Sequence, residues 1–405
     1  MSPRLPDGDP APDDGALPAT ALAERRGRPL SVYVHVPWCA SRCGYCDFNT
    51  YVPPEGALEG LGERFAAAVD AELALAARVL DERPPVATVF LGGGTPSLLD
   101  PAVLGRVVAA VDRRLGLAPG AEVTCECNPE SVDGERLARL RAAGVTRVSF
   151  GMQSARAHVL RSLERAHDPA RPPAAVAEAR AAGFDAVGLD LIYGADGERD
   201  EDWGASLRTA IAAGPDSISA YALTVEPGTR YAALVARGAR RGTDDGTLGR
   251  RYEAADRALA AAGYRWYELS NWARNPAGVC RHNLAYWRGD DWWGVGPGAH
   301  SHVAGVRWWN ALRPASWMAR LAEGRSPAVG RETLDRAARE LEALMTAIRL
   351  PEGLTAAALP AGAAARVPGL LADGVVDPAA WAAGRVALTR RGRPLADGVL
   401  RRLVA

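Results

Sequence analysis

Three cysteines carry the first chemistry legible in the chain. Cys39, Cys43 and Cys46 stand at C-x3-C-x2-C, directly after the strand-like run 31–36. Thiolates are soft ligands that suit iron–sulfur clusters or zinc. Three close thiolates can hold three irons of a [4Fe–4S] cluster. Such a cluster ordinarily takes four cysteines, so a set of three leaves one iron open to another ligand. A structural zinc site needs four ligands, usually as two C-x2-C pairs, and no second pair exists here. Cys125 and Cys127, one residue apart in a predicted strand, are expected to point to opposite faces of it. Nothing marks the chain as secreted, so disulfides are not expected.

Further sets of glycine or polar residues recur along the chain. They are Gly92-Gly93-Gly94-Thr95-Pro96, Glu126-Cys127-Asn128-Pro129, Gln153, Asp190 and Thr224-Val225-Glu226-Pro227. Three glycines before Thr-Pro exceed what a turn needs, and they let a backbone approach a ligand closely. A carboxylate such as Glu126 or Asp190 suits ribose hydroxyls, and Arg165 could pair with a carboxylate.

The elements that must position these sets alternate. Strands are predicted at 31–36, 87–91, 122–126, 147–151, 186–192 and 217–223. Runs with helical spacing lie at 58–80, 102–115, 135–142, 174–182 and 202–212. Alternation of this kind means a parallel sheet of the α/β class. Six units are too few for a closed eight-fold barrel, so a partial (β/α)6 barrel is expected. The unusual sets all follow, or end, predicted strands, which is where βα barrels keep their chemistry.

Bulk properties bound the rest. The 405 residues suit one large domain plus a smaller one. Lys plus Arg and Asp plus Glu both number 48, so no global basic field favours nucleic acid. Residues 1–29 are rich in Pro, Asp, Gly and Ala without a continuous apolar run. They read as a disordered leader rather than a signal peptide. No 18-residue apolar run could span a membrane. Eight of the eleven tryptophans fall in 264–317, a segment expected to extend the barrel and to suit a flat apolar ligand.

The cysteine loop resembles the radical S-adenosylmethionine (SAM) superfamily, with Tyr45 as the aromatic residue before the third cysteine. Tyr33-Val34-His35-Val36-Pro37-Trp38-Cys39 and Cys46-Asp47-Phe48-Asn49 are similar to the oxygen-independent coproporphyrinogen III oxidase family. His282-Asn283-x-x-Tyr286-Trp287 matches the signature of its heme-chaperone (HemW-like) branch. The resemblance implies a radical-SAM partial barrel at 30–228 and a Trp-rich extension at 229–330. It also implies a mostly helical, winged-helix-like domain at 331–405. Cys39, Cys43 and Cys46 would ligate the cluster. Gly93, Gly94 and Thr95 of the GGGTP turn would hold the amino and carboxylate groups of SAM. Tyr33, Tyr45, Glu126, Gln153, Arg165 and Asp190 match positions that contact SAM. His282 would be the heme contact, with His300 and His302 as rivals. One departure is Ala195-Asp196, where the family usually has Leu-Pro.

Two activities follow from the resemblance. The first is a heme chaperone that binds heme, a [4Fe–4S] cluster and SAM, and delivers heme to acceptor proteins. It would act in the cytoplasm, without nucleic acid, meeting membranes only through its acceptors. The alternative is the oxidase, which decarboxylates propionates by radical SAM chemistry. The oxidase branch carries a fourth cysteine two residues after the third. Phe48 stands there in this chain, and this favours the chaperone.

Overall fold

A computed structural model describes residues 5–80 and 85–404. Six parallel strands form its centre: β1 (Leu30–Val36), β2 (Val86–Gly93), β3 (Leu117–Cys127), β4 (Arg147–Gln153), β5 (Ala186–Tyr193) and β6 (Ser217–Ala222). They pair in sequence order, as the alternation of strands and helices predicts. The period of two along each strand sorts side chains between two faces. Val32, Val34, Val89, Leu91, Val148, Leu189 and Ile218 are fully buried in the main core. Several alternate positions are polar, and they pair across the barrel interior. Thr88 Oγ1 donates to Ser31 Oγ (2.9 Å), Arg147 Nη2 to Ser217 Oγ (2.7 Å) and Ser149 Oγ to Asp190 Oδ2 (2.8 Å). Such pairing is what buried polar groups require.

Helices return the chain over the outer face. Asp100 and Asp133 cap the helices Pro101–Leu115 and Gly134–Ala142, accepting from backbone amides two and three residues on. Each cap satisfies a donor that the first helical turn leaves free.

The Trp-rich segment extends the sheet at both edges. A hairpin of β7 (Arg265–Glu268) and β8 (Asn271–Ala273) adds antiparallel to β6. On the other side β9 (Asp291–Val295) joins β1 as a seventh parallel strand. Antiparallel β10 (His300–Val303), β11 (Val306–Asn310) and β12 (Ala328–Thr333) follow it. The result is a single twelve-stranded sheet. Trp272, Trp293, Trp308 and Trp317 are buried in the core, whereas Trp287 and Trp292 face a cavity.

Several expectations need correction. Of the expected disordered leader, residues 1–4 lie outside the described residues, but 5–29 are ordered. Asp9 exchanges two backbone hydrogen bonds with Arg331 on edge strand β12 (2.9 and 2.8 Å), covering part of that edge. Leu17 and Ala21 enter the core, and Ala19–Glu24 is helical. A few apolar anchors and ladder bonds therefore order a stretch whose composition reads as unstructured. The boundary at 331 also moves, because β12 runs to Thr333 and the next helix is Arg336–Ala347. Beyond it, short helices and a two-stranded ladder of Leu354–Thr355 with Arg385–Val386 enclose a separate core. That core includes Leu344, Ile348, Val367, Leu370 and Leu400.

Glu72, from the helix Leu58–Val79, ties the extension to the barrel. Its buried carboxylate accepts from Gly296 N (2.9 Å), Asn310 Nδ2 (2.7 Å) and Trp317 Nε1 (2.7 Å). Glu72→Ala would orphan three donors at roughly 1–3 kcal/mol each. Urea unfolding should show a loss of about 3 kcal/mol or more; a loss no larger than that of an exposed Glu→Ala would show that this tie does not hold the extension.

Candidate functional site

The expected residues converge at the C-terminal end of the parallel strands. Cys39, Cys43 and Cys46 lie half-buried in the loop after β1, and all six cysteines of the chain are free. That loop is fixed by backbone. Cys39 N donates to Tyr51 O (3.0 Å) and Tyr51 N to Pro37 O (2.7 Å). Burial pushes the Cys39 thiol up from its ordinary value and that of Cys46 up to about 11. Deprotonation at such thiols needs a cation, and a metal centre deprotonates a coordinating thiol outright. One cation is already present: Arg165 Nη1 stands 3.5 Å from Cys43 Sγ. Among the described residues, no three His, Cys, Asp or Glu side chains converge as a single-ion site would need. A cluster that takes one cysteine on each of three irons makes no such demand.

The GGGTP turn packs against this loop. Gly94 N donates to Val36 O (2.7 Å) and Thr95 N to Trp38 O (2.8 Å). A Cβ on Gly94 would lie 2.5 Å from Trp38 O, and one on Gly93 would lie 2.5 Å from the His35 ring. Gly93 also holds φ +105°, which side chains rarely adopt. Gly94 is therefore required by the close approach of one backbone to another, and Gly93 by the close approach of the His35 ring. The Gly93 amide turns to the other neighbour, donating to Glu126 Oε2 on β3 at 3.1 Å.

Glu126 stands near the end of β3. Burial and the nearby Asp190 charge push its carboxyl up to about 8, and burial raises Asp190 as well. Burial thus disfavours the charged form of both neighbouring carboxyls. Gln153 ends β4 with φ +59°, a strained backbone for a buried non-glycine residue. A Cβ on Gly151 would meet the Gln153 amide at 2.8 Å, so that glycine makes room for it. Arg165 Nη2 donates to Asn128 Oδ1 (2.8 Å) and to Gly151 O (3.3 Å), while its buried Nε has no partner. Tyr45 packs beside the loop against Val159, Leu163 and Tyr231. Tyr33 OH bonds His35 Nδ1 at 3.0 Å.

Asn128 and His35 were not singled out from sequence. Asn128 joins Arg165 to Thr95, donating to Thr95 Oγ1 at 3.1 Å. His35 bridges Tyr33 and the Asn49 carbonyl (2.9 Å), beneath Gly93. Both sit inside motifs whose other members drew the attention.

Cys125 and Cys127 share one face of β3 rather than opposing faces, their sulfurs 4.0 Å apart and buried. Residues two apart in a strand point the same way, so the expectation miscounted the period.

His282 also departs from expectation. It lies on the helix Arg281–Arg288, whose first amides, Arg281 N and His282 N, donate to the Glu122 carboxylate at 3.1 Å each. A carboxylate suits the positive end of a helix. The helix thereby reaches the interior of the barrel, and the His282 ring stacks on Phe90 (centroids 5.1 Å apart). Thr88 Oγ1 engages its Nδ1 (2.7 Å) and Tyr286 OH its Nε2 (2.9 Å). Burial pushes it down to about 3, so the ring is neutral. It does not face open space. Tyr286 and Trp287, from the same motif, do line a cavity of about 1110 Å³, along with Trp292, Tyr221 and Met345.

Gly93→Val should lower the thermal midpoint, since the strained φ alone costs about 1–3 kcal/mol. Glu126→Ala, which leaves only the Gly93 amide without its acceptor, should lower it less. A wild-type midpoint for Gly93→Val would show that the turn tolerates a side chain and that the glycines are not there for packing.

Comparison with known proteins bears on this arrangement. Residues 33–210 match the model of the Radical SAM superfamily. The heme chaperone HemW of Mycobacterium tuberculosis is 49% identical over 384 residues, which cover 95% of this chain and 97% of that protein. The heme chaperone HemW of Escherichia coli K12 is 38% identical over 282 residues, 68% and 70% of the two chains. The structure of coproporphyrinogen III oxidase (HemN) from Escherichia coli, a radical SAM enzyme, superposes with TM-score 0.79 at 23% identity. It covers 95% of this chain and 92% of that one, and demonstrates the shared fold.

Proposed function

The chain belongs to the HemW family of the radical SAM superfamily, and from that premise we propose that it is a heme chaperone. It binds heme and hands it to acceptor proteins. The observation that carries this reading is 49% identity to a HemW heme chaperone over 95% of the chain. Phe48 supports it, standing where the oxidase branch carries a further cysteine. The cavity beside Tyr286 and Trp287 has the volume and aromatic lining a tetrapyrrole needs.

Cys39, Cys43 and Cys46 hold a [4Fe–4S] cluster, which supplies an open iron for SAM. The half-buried free thiols and the guanidinium beside Cys43 fit this group. Around it, Arg165 offers its unpartnered Nε to the methionyl carboxylate. Glu126 and Asp190 accept from hydroxyl or amino groups of the same ligand. Gln153 adds an amide held in place by its strained backbone. Gly93, Gly94 and Thr95 act mainly through the position they give the cysteine loop, and Tyr33 and Tyr45 wall the site. Among the described residues no helix is long and apolar enough to cross a membrane. Six free cysteines suit a reducing, cytoplasmic setting.

The cluster assignment can be read directly. Cys39→Ala, Cys43→Ala or Cys46→Ala should each abolish the broad visible absorption and most of the iron of anaerobically purified protein. Cys125→Ala and Cys127→Ala should keep both; the reverse pattern would relocate the cluster. The function is tested by incubating the wild type with heme and, separately, with coproporphyrinogen III, SAM and reductant. Stoichiometric heme binding without decarboxylation is expected, and decarboxylation at each turnover of SAM would make the protein the oxidase.

A further inference from the structure

Resting on the heme-chaperone reading, the question is which imidazole meets the iron. An axial histidine must offer a ring nitrogen lone pair. The chain has six histidines. Those at 35 and 282 have both ring nitrogens engaged, as described above, and are buried. His302 is also engaged: Nδ1 lies 3.3 Å from Asp290 O, and Nε2 accepts from Gly305 N at 3.0 Å. That pattern puts the proton on Nδ1 and spends the Nε2 lone pair. His158 pairs with Asp202 through Nε2 (3.2 Å) and the buried His167 bonds Met152 O through Nε2 (3.1 Å); the Nδ1 of each takes no hydrogen bond, but neither residue lines either of the two cavities at Tyr286. Among the described residues, His300 alone carries no hydrogen bond or ion pair on either ring nitrogen.

His300 is also well placed. Its backbone is fixed in β10, where its carbonyl accepts from Trp292 Nε1 at 3.0 Å. Gly294 lies so close to that carbonyl that no Cβ would fit between them. The ring is backed by Trp309 at 5.9 Å, and it lines a second cleft of about 370 Å³ together with Tyr33, Phe48, Tyr286 and Trp292. Phe48 is 54% exposed, a large apolar side chain left uncovered two residues beyond the last cluster cysteine. Tyr286 and Trp292 belong to both cavities. A flat ligand anchored at His300 would therefore run along their edges into the larger space.

We propose that His300 is the axial ligand of the bound heme, with Phe48 and Trp292 as apolar contacts on the macrocycle. His282 is then a positioning residue, holding Tyr286 in the wall that the two cavities share.

The test is titration of full-length protein with ferric heme, followed by Soret absorbance and low-temperature EPR. His300→Ala should weaken heme binding by about tenfold or more and lose the histidine-ligated signature, and added imidazole should restore that signature. His282→Ala should keep the ligand signature even where affinity falls. Phe48→Ala should lower affinity with the same signature and the same iron content. A wild-type spectrum in His300→Ala, or loss of the signature in His282→Ala with imidazole rescue, would overturn the assignment and leave the chaperone reading standing. Absence of heme binding by the wild type would instead remove that reading itself.

Discussion

The contact between the end of β2 and the loop after β1 is the constraint on which the site depends. Gly94 and Thr95 donate their amides to Val36 and Trp38 carbonyls, and this is feasible only because no Cβ intervenes at Gly93 or Gly94. Parallel strands lie about 4.8 Å apart, so loops leaving adjacent strands must diverge or share space. Here they share it. The cysteine loop is thereby pinned on one side by the glycine turn and on the other by Tyr51. A loop that must present three thiols to one group needs such pinning, because each freely rotating ligand would add an ordering cost at binding. Thr95 and Asn128 carry the constraint one strand further, to Arg165. The cation near the thiols is thus positioned through the same turn.

The barrel treats its two ends differently. At the C-terminal end the polar groups are left with capacity: a buried arginine nitrogen without a partner, two carboxyls with raised values and free thiols. Toward the other end the interior groups Glu122, Thr88 and Arg147 are bonded within the chain. Glu122 accepts two amides of the Arg281–Arg288 helix, Thr88 serves both Ser31 and His282, and Arg147 reaches Ser217 and the Gly278 carbonyl (3.0 Å). An unsatisfied buried group costs about 1–3 kcal/mol, so the asymmetry is informative. At the cysteine loop, the open Arg165 Nε is a group that a bound ligand could complete.

The strands and the C-terminal placement of the chemistry were legible because both follow from local patterns. Apolar runs flanked by helical spacing specify the six central strands, and Cys39, Gly93, Glu126, Gln153 and Asp190 fall at strand ends by counting alone. What stayed hidden depended on long-range pairing. Leader residue Asp9 meets Arg331, and β9 meets β1, across hundreds of residues. No local propensity encodes either contact. The leader has few apolar residues, and its order comes from edge bonds and from Leu17 and Ala21. The role of Gly93 was half legible: three glycines signal close approach, but the partner turned out to be the chain's own backbone and His35.

His282 illustrates a wider difference between motif and mechanism. Its neighbours in the motif divide by helical spacing. Positions 282 and 286 lie one turn apart on the same face, which is why the Tyr286 hydroxyl can reach the His282 ring. That bond, with the one from Thr88, fixes the ring of a histidine that burial keeps neutral. A residue so placed sets where the helix sits and how Tyr286 and Trp287 meet the cavity. His282 thus holds Tyr286, which lines the cavity, without lining it itself. The free imidazole in this region lies on β10 instead, following the glycine-rich turn rather than the tryptophan motif. The lining of the smaller cleft thus draws on both segments, Tyr286 from the helix and His300 from β10, and neither alone supplies it.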